Sequence, residues 1–270
     1  MTKIQVKDLV NRFERYAPRN LAHEKDPIGL HFGSLDQTIE KVLVTLDVRP
    51  ETVQEAIDQS CDFIFAHHPP IFQPVASFDL NIPQNQMYAR LIKNDIAVYA
   101  AHTNLDAAEN GMNDWLAAAL DLENPEIMQV TQTIDGKDYG YGRVGNLREA
   151  VSFDSFLEEV KSTFAVEAVR YVGEDTGRNI GRVAVMGGSG GSYFSSALEK
   201  EADVFITGDL SYHVAHDIQA SGMYAIDPGH HIESVCIQHL TALFKEWAKE
   251  ENWDIEIRAS DLNTDPFQFI

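Results

Sequence analysis

Cysteine is scarce in this chain of 270 residues: Cys61 and Cys236 stand alone. They supply neither the disulfide framework of a small secreted domain nor the clustered thiolates of a cysteine-type zinc site. Long apolar runs are missing as well, since no stretch approaches the ~18 residues that mark a membrane-spanning helix. The opening MTKIQVKDLV has neither the basic nor the apolar region of a secretory signal. Positive charge is in short supply. Lys and Arg number 21 against 42 Asp and Glu, which gives a formal net charge of −21. A surface that acidic repels the phosphate backbone of nucleic acid unless a basic groove offsets it. The basic clusters are short, such as Arg12 with Arg15, so no such groove is legible. There is no GxSxG elbow, and neither cysteine has neighbours that would activate a thiol. The expectation is a soluble cytoplasmic protein with no membrane or nucleic-acid partner.

What is present reads as α/β. An apolar fraction of 44% and a charged fraction of 23% are those of an ordinary globular protein. Val6, Leu9, Val10 and Phe13 recur at helical spacing. KVLVTLDV (41–48), DFIFA (62–66) and IAVYAA (96–101) are near-continuous apolar strands separated by helical stretches, one of them opened by Pro50. That alternation argues a mostly parallel sheet covered on both faces. After residue 126 the pattern changes: IMQVTQTI and YGYGRVGNL read as shorter paired strands around Asp135-Gly136. A helix, the strand VEAVRYV, and a second α/β run (RVAVMGG, SYFSSALEKE, DVFIT, MYAIDP) follow. A long helix near 233–250 and the strand WDIEIRA close the chain. The division expected is a split first domain, 1–125 with 230–270, around a second domain of 126–229.

The histidines are not scattered. His67 and His68 end one strand, and His102 with Asp106 follows another. His213 and His216 lie beyond a third, and His230, His231 and Glu233 beyond a fourth. In open α/β sheets ligands gather at the carboxyl ends of strands. Four strand exits delivering imidazole or carboxylate are what a multi-ligand metal site needs, and nitrogen and oxygen donors without thiolate suit Zn, Mn or Fe. Successive side chains on an extended strand point to opposite faces, so His67 and His68 would serve one ion each in a two-metal site. Pro69-Pro70 would fix their directions. Asp106 or Glu233 would bridge. His102, His213 and His231 read equally well as groups facing substrate or orienting a ligand, while His23, His31 and His239 read as bystanders. GGSGGS (187–192) reads first as a tight strand-to-helix turn and second as an anion cradle. Asp209, in GDL, is placed to orient a neighbouring histidine.

FIFAHHPPIF, AHTNLDAAENGMN, the stretch from VAVMGGSGG to FITGDLSYH, and DPGHHIE resemble, in the same order, the Nif-three-like dinuclear metal-binding family. Its bacterial members are often labelled GTP cyclohydrolase 1 type 2 homologs. VLVTLDVRPETVQEAI and IGLHFGS are similar too, so the resemblance spans nearly the whole chain. It implies two α/β domains, the first split, and a homohexamer whose metal sites face an internal cavity. It implies two divalent ions per subunit held by His67, His68, Asp106, His230 and Glu233. His231 remains an alternative to His230; His230 and Glu233 at i, i+3 would share one face of the last helix's first turn. The chain lacks a large insert that some members carry between the domains. The activity implied is metal-dependent hydrolysis of a small anionic nucleotide or phosphoester, with His102 or His213 as proton shuttle. A non-catalytic, metal-dependent binding or regulatory assembly is the alternative.

Overall fold

The computed structural model describes residues 2–174 and 177–270. The chain begins with β1 (Ile4–Gln5), α1 (Val6–Tyr16), β2 (Gly29–Phe32), β3 (Thr38–Ile39), β4 (Lys41–Thr45), α2 (Pro50–Asp58), β5 (Phe63–Ala66), α3 (Pro83–Lys93), β6 (Ala97–Ala100) and α4 (Thr103–Ala107). It continues through α5 (Met112–Ala119), β7 (Glu123–Ile134), β8 (Lys137–Val151), α6 (Phe153–Thr163), β9 (Arg170–Val172), β10 (Ile180–Val185), α7 (Phe194–Glu199), β11 (Val204–Ile206), α8 (Tyr212–Ser221) and β12 (Tyr224–Asp227). α9 (Val235–Glu250) and β13 (Glu256–Ala259) follow. Two compact units result, Met1–Leu105 with Cys236–Thr264 and Asp106–Val235 with Asp265–Ile270.

The first unit holds a five-stranded sheet in the order β13-β4-β5-β6-β2, parallel except for β2 at one edge. β5 and β6 are buried at every position, which is why their sequences are unbroken apolar runs rather than alternating ones. The period of two then sorts their side chains. Phe63, Phe65 and Tyr99 belong to an aromatic cluster with Phe13 of α1 and Phe244 of α9, with ring centroids 4.7 Å apart for Phe13–Phe65 and 4.8 Å for Phe65–Phe244. Ile64, Ala66 and Val98 pack instead with Val53 and Ala56 of α2 and Met87 and Leu91 of α3. Pro50 and Pro83 each open a helix, where the missing N–H costs nothing.

The second unit holds a six-stranded mixed sheet, β7-β8-β10-β11-β12-β9, whose parallel strands are β10, β11 and β12. β7 and β8 form an antiparallel hairpin closing at Asp135-Gly136, with φ of 52° and 78°. Two left-handed residues in a two-residue loop are the signature of a type I′ turn. The hairpin strands run to 12 and 15 residues, longer than the apolar pattern alone indicates. β7 lies at the sheet edge with only Met128 buried, so most of its positions are polar and carry no periodic signal. VEAVRYV pairs only over Arg170–Val172, antiparallel to β12. The architecture is α/β with parallel and mixed sheets.

Candidate metal centre

In the first unit, β5 and β6 are parallel neighbours with Ala66 opposite Ala100, so both strands exit at one end of the sheet. His67 and His68 follow directly from β5, and His102 lies two residues past β6. The backbone N–H groups of His67 and His68 donate to the carbonyls of Thr45 (3.2 Å) and Leu46 (2.9 Å), which fixes where the two rings start. The chain bends at this point instead of staying extended. The opposite-face geometry of a strand therefore does not hold, and the His67 and His68 rings lie side by side with centroids 4.9 Å apart. The His102 ring is 5.2 Å from His67 and 5.6 Å from His68. One ligand nitrogen from each of the three falls within 4.8 Å of the others.

Each of these rings is locked through Nδ1. His67, fully buried, donates from Nδ1 to the Ala101 carbonyl at 2.8 Å, because a carbonyl can only accept. Nδ1 of His68 meets the Asp47 carboxylate at 2.7 Å, and Nδ1 of His102 meets that of Asp26 at 3.0 Å. Against an ionised carboxylate Nδ1 carries the proton, so Nε2 is the nitrogen with the lone pair. Fixing the tautomer this way is how proteins orient histidine toward a metal. Asp26 is itself held, accepting from the Thr103 N–H at 2.9 Å and from the Thr103 hydroxyl. Burial pushes its carboxyl pKa up, but the bonds and charge of His102 together with the Thr103 bonds outweigh this and leave it below the ordinary value.

The second unit carries carboxylates and an imidazole of its own. Asp106 lies in α4, its carbonyl accepting from the Asn113 amide at 2.9 Å. His230 and Glu233 sit in a 3-10 turn over His230–Ser234, which precedes α9 rather than forming its first turn. Residues three apart eclipse in a 3-10 turn, and Nε2 of His230 lies 3.1 Å from Oε2 of Glu233. His230 and Glu233 are thus in direct contact. Glu233 is buried. Nδ1 of His230 meets the Asp209 carboxylate at 2.7 Å, the orienting contact that GDL suggested. Asp209 also accepts from the Ser189 hydroxyl at 2.6 Å. Burial raises its pKa, and the His230 and Ser189 bonds more than offset that, for a net lowering.

GGSGGS packs against Glu233 and His230. A methyl at Gly187 would stand 2.7 Å from Oε1 of Glu233; one at Gly188, already at φ +63°, would stand 3.1 Å from it and 3.5 Å from Nε2 of His230. Gly187 N–H is spent on the Asn113 side chain (3.1 Å) and Gly190 N–H on the Thr207 hydroxyl (2.8 Å). Close packing is thus the role those glycines serve. His213 lies exposed on α8 beside Tyr212, ring centroids 5.5 Å apart, and among the described residues belongs to none of the groups able to hold an ion. Asp26 and Asp47 went unmarked in the sequence. Asp47 sits just past the end of β4, the same strand-exit signal that flagged the histidines; Asp26, in the loop before β2, carries no such signal.

The donor set is imidazole nitrogen and carboxylate oxygen, which could hold a metal ion. Residues 4–266 match the family described as Duf34/NIF3 (NGG1p interacting factor 3). The chain belongs to the Duf34/NIF3 family. A relative from Streptococcus pneumoniae serotype 4, named GTP cyclohydrolase 1 type 2 homolog, is 41% identical over 266 residues, covering 97% of this chain and 98% of its own. A Bacillus cereus protein related to NIF3 superimposes with a TM-score of 0.97 at 30% identity over the whole of both chains. A Listeria innocua relative of the same name is 32% identical over 360 aligned positions, covering 95% of this chain and 96% of its own. That alignment is longer than this 270-residue Duf34/NIF3 chain, so the Listeria protein carries a segment absent here. Among the described residues no helix is long and apolar enough to cross a membrane.

Proposed function

We propose that this Duf34/NIF3 chain is a dinuclear metal-dependent hydrolase that acts on a small anionic nucleotide or phosphoester. The carrying observation is that His67, His68, His102 and His230 are each bonded through Nδ1 to a carbonyl or carboxylate acceptor. Locking four imidazoles costs side-chain freedom and, for the half-buried ones, desolvation. Bound ions and a reacting oxygen drawing on those nitrogen lone pairs would offset that cost. In this reading His67, His68, Asp106, His230 and Glu233 hold the two ions. Chain continuity supports it: two of the three crossings between the units, Leu105–Asp106 and Val235–Cys236, fall beside Asp106 and close to Glu233, the third being Thr264–Asp265. The ions, when bound, supply Lewis-acid activation of water at neutral pH and neutralise anionic substrate charge.

The chain's own residues do the rest. Asp47 and Asp209 hold His68 and His230 in the ligating tautomer, and Asp26 does the same for His102. His102, partly exposed beside the ligands, is placed to carry a proton to or from a reacting oxygen. His213, from its exposed place on α8, serves that role only if substrate or a second subunit reaches it. The name borne by the relatives points to a guanosine nucleotide, and the same family membership supports a homohexamer. The test is a mass-spectrometric turnover assay with metal-loaded protein, GTP, and a panel of nucleotides and phosphoesters, beside Glu233→Gln. Product formed by the wild type and lost in the variant is expected. No product with any metal, from protein that remains folded and assembled, would transfer the site to a binding or regulatory role.

A further inference from the structure

The proline-rich loop after the paired histidines carries a feature that metal ligation does not use. Phe72 is 54% exposed although it is a large apolar side chain. Its exposure does not come from slack in the loop. The Pro70 carbonyl accepts from the Tyr88 hydroxyl at 2.7 Å and from the Gln84 amide at 3.3 Å. Ile71 and Val75, on either side of Phe72, pack onto the core cluster of α2 and α3. The Phe72 ring meets the His102 ring nearly at right angles, 88°, with centroids 5.6 Å apart. His102 is in turn grouped with His67 and His68. Phe72 thus lies more than half exposed beside His102 of the histidine cluster. The histidines are partly open to solvent, the His68 and His102 side chains keeping 17% and 21% of their exposure.

A rigid aromatic face held in water is costly unless something covers it. Planar rings cover such a face in stacked geometry with centroids roughly 4.5–7 Å apart, a distance comparable to the Phe72–His102 separation. A ring stacked on Phe72 would therefore hold its substituents beside His102 and the ligating nitrogens. We propose that Phe72 is the stacking platform for a nucleobase, and that the substrate class of this site is a nucleotide bound through base and phosphate together. This deepens the hydrolase reading by naming which half of the substrate the protein, rather than the ions, recognises. Phe78, in the same loop and 57% exposed, meets Tyr88 at 6.5 Å and serves as the internal control.

Equilibrium dialysis of the metal-loaded full chain with AMP, GMP, CMP, UMP and ribose 5-phosphate tests this without requiring turnover. Stacking on an aromatic side chain tolerates any base, so Phe72→Ala should weaken all four nucleotides roughly 5- to 150-fold. Ribose 5-phosphate should bind the variant as it binds the wild type, Phe72→Trp should restore nucleotide affinity, and Phe78→Ala should change nothing. Equal losses for ribose 5-phosphate and nucleotides, equal effects of the two alanines, or no nucleotide binding by wild type at millimolar concentration would each overturn the proposal. A sedimentation change in Phe72→Ala with nucleotide affinity intact would also overturn it, assigning the ring to contact with a second copy. Phe72-dependent binding without any hydrolysis would sink the hydrolase reading and leave this one standing; hydrolysis indifferent to Phe72 would do the reverse.

Discussion

Asp26 shows how much of the site rests on single carboxylates. It reaches from the loop before β2 to Nδ1 of His102 while taking both the N–H and the hydroxyl of Thr103. Those contacts outweigh its burial and depress its pKa in the folded chain. A depressed carboxyl pKa means that folding favours the ionised form. Its contribution to stability is then complete above the unfolded-chain value of about 3.9 and disappears as pH falls through the lower folded value. Thermal denaturation of chelator-treated wild type and Asp26→Asn, compared from pH 6 down to pH 2.5, should therefore give wild type the higher Tm near neutrality. The gap should close below about pH 4. A gap that stays constant over that range would show that the Asp26 charge contributes nothing to the fold. None of this was legible from the sequence, because HEKDPI contains no periodicity and no strand exit. His67 and His68 stood out for the opposite reason, since they follow directly from the apolar run of β5.

At the scale of elements, the buried strands and the helices between them were legible because burial on both faces leaves an unmistakable apolar run. Two elements were less so. The β7–β8 hairpin extends beyond its apolar segment because an edge strand needs no buried face to keep pairing. The turn carrying His230 and Glu233 is 3-10 rather than α, a difference that residue spacing cannot reveal. The glycine turn after β10 was legible as a turn, but not as the wall against Glu233. That wall gives a prediction at its own scale. In Gly187→Ala the added methyl meets Oε1 of Glu233 at 2.7 Å, so the carboxylate or the turn must shift. Metal content per chain, measured by plasma mass spectrometry after desalting, should fall well below the wild-type value. Gly136→Ala is the comparison: φ is +78° there, and the methyl would meet nothing within 4 Å. Left-handed strain should cost about 1–2 kcal/mol of stability and leave the metal content unchanged. Equal metal content in both variants would remove the glycine turn from the site.

For the whole molecule, connectivity is what makes the proposed centre more than a cluster of side chains. The chain leaves the first unit at Leu105 and returns to it at Cys236. The proposed ligands are divided accordingly, with His67 and His68 contributed by the first unit and Asp106, His230 and Glu233 by the second. Ions bound by that set stabilise only conformations in which both units are folded, so metal binding adds to the stability of each through linkage. At a free metal concentration about 100 times Kd the addition is about 2.7 kcal/mol. For units of this size, where 1 kcal/mol shifts Tm by roughly 2–8 °C, that corresponds to roughly 5–20 °C. Scanning calorimetry should therefore show one cooperative transition for metal-loaded protein and a downward shift on chelation. Glu233→Gln should start near the chelated value and respond little to added metal, because removing one carboxylate charge weakens the attraction for both ions. If chelation instead lowered the transition of one unit and left the other in place, the ligands would belong to that unit alone. The two-unit centre, and the hydrolytic reading built on it, would then fall.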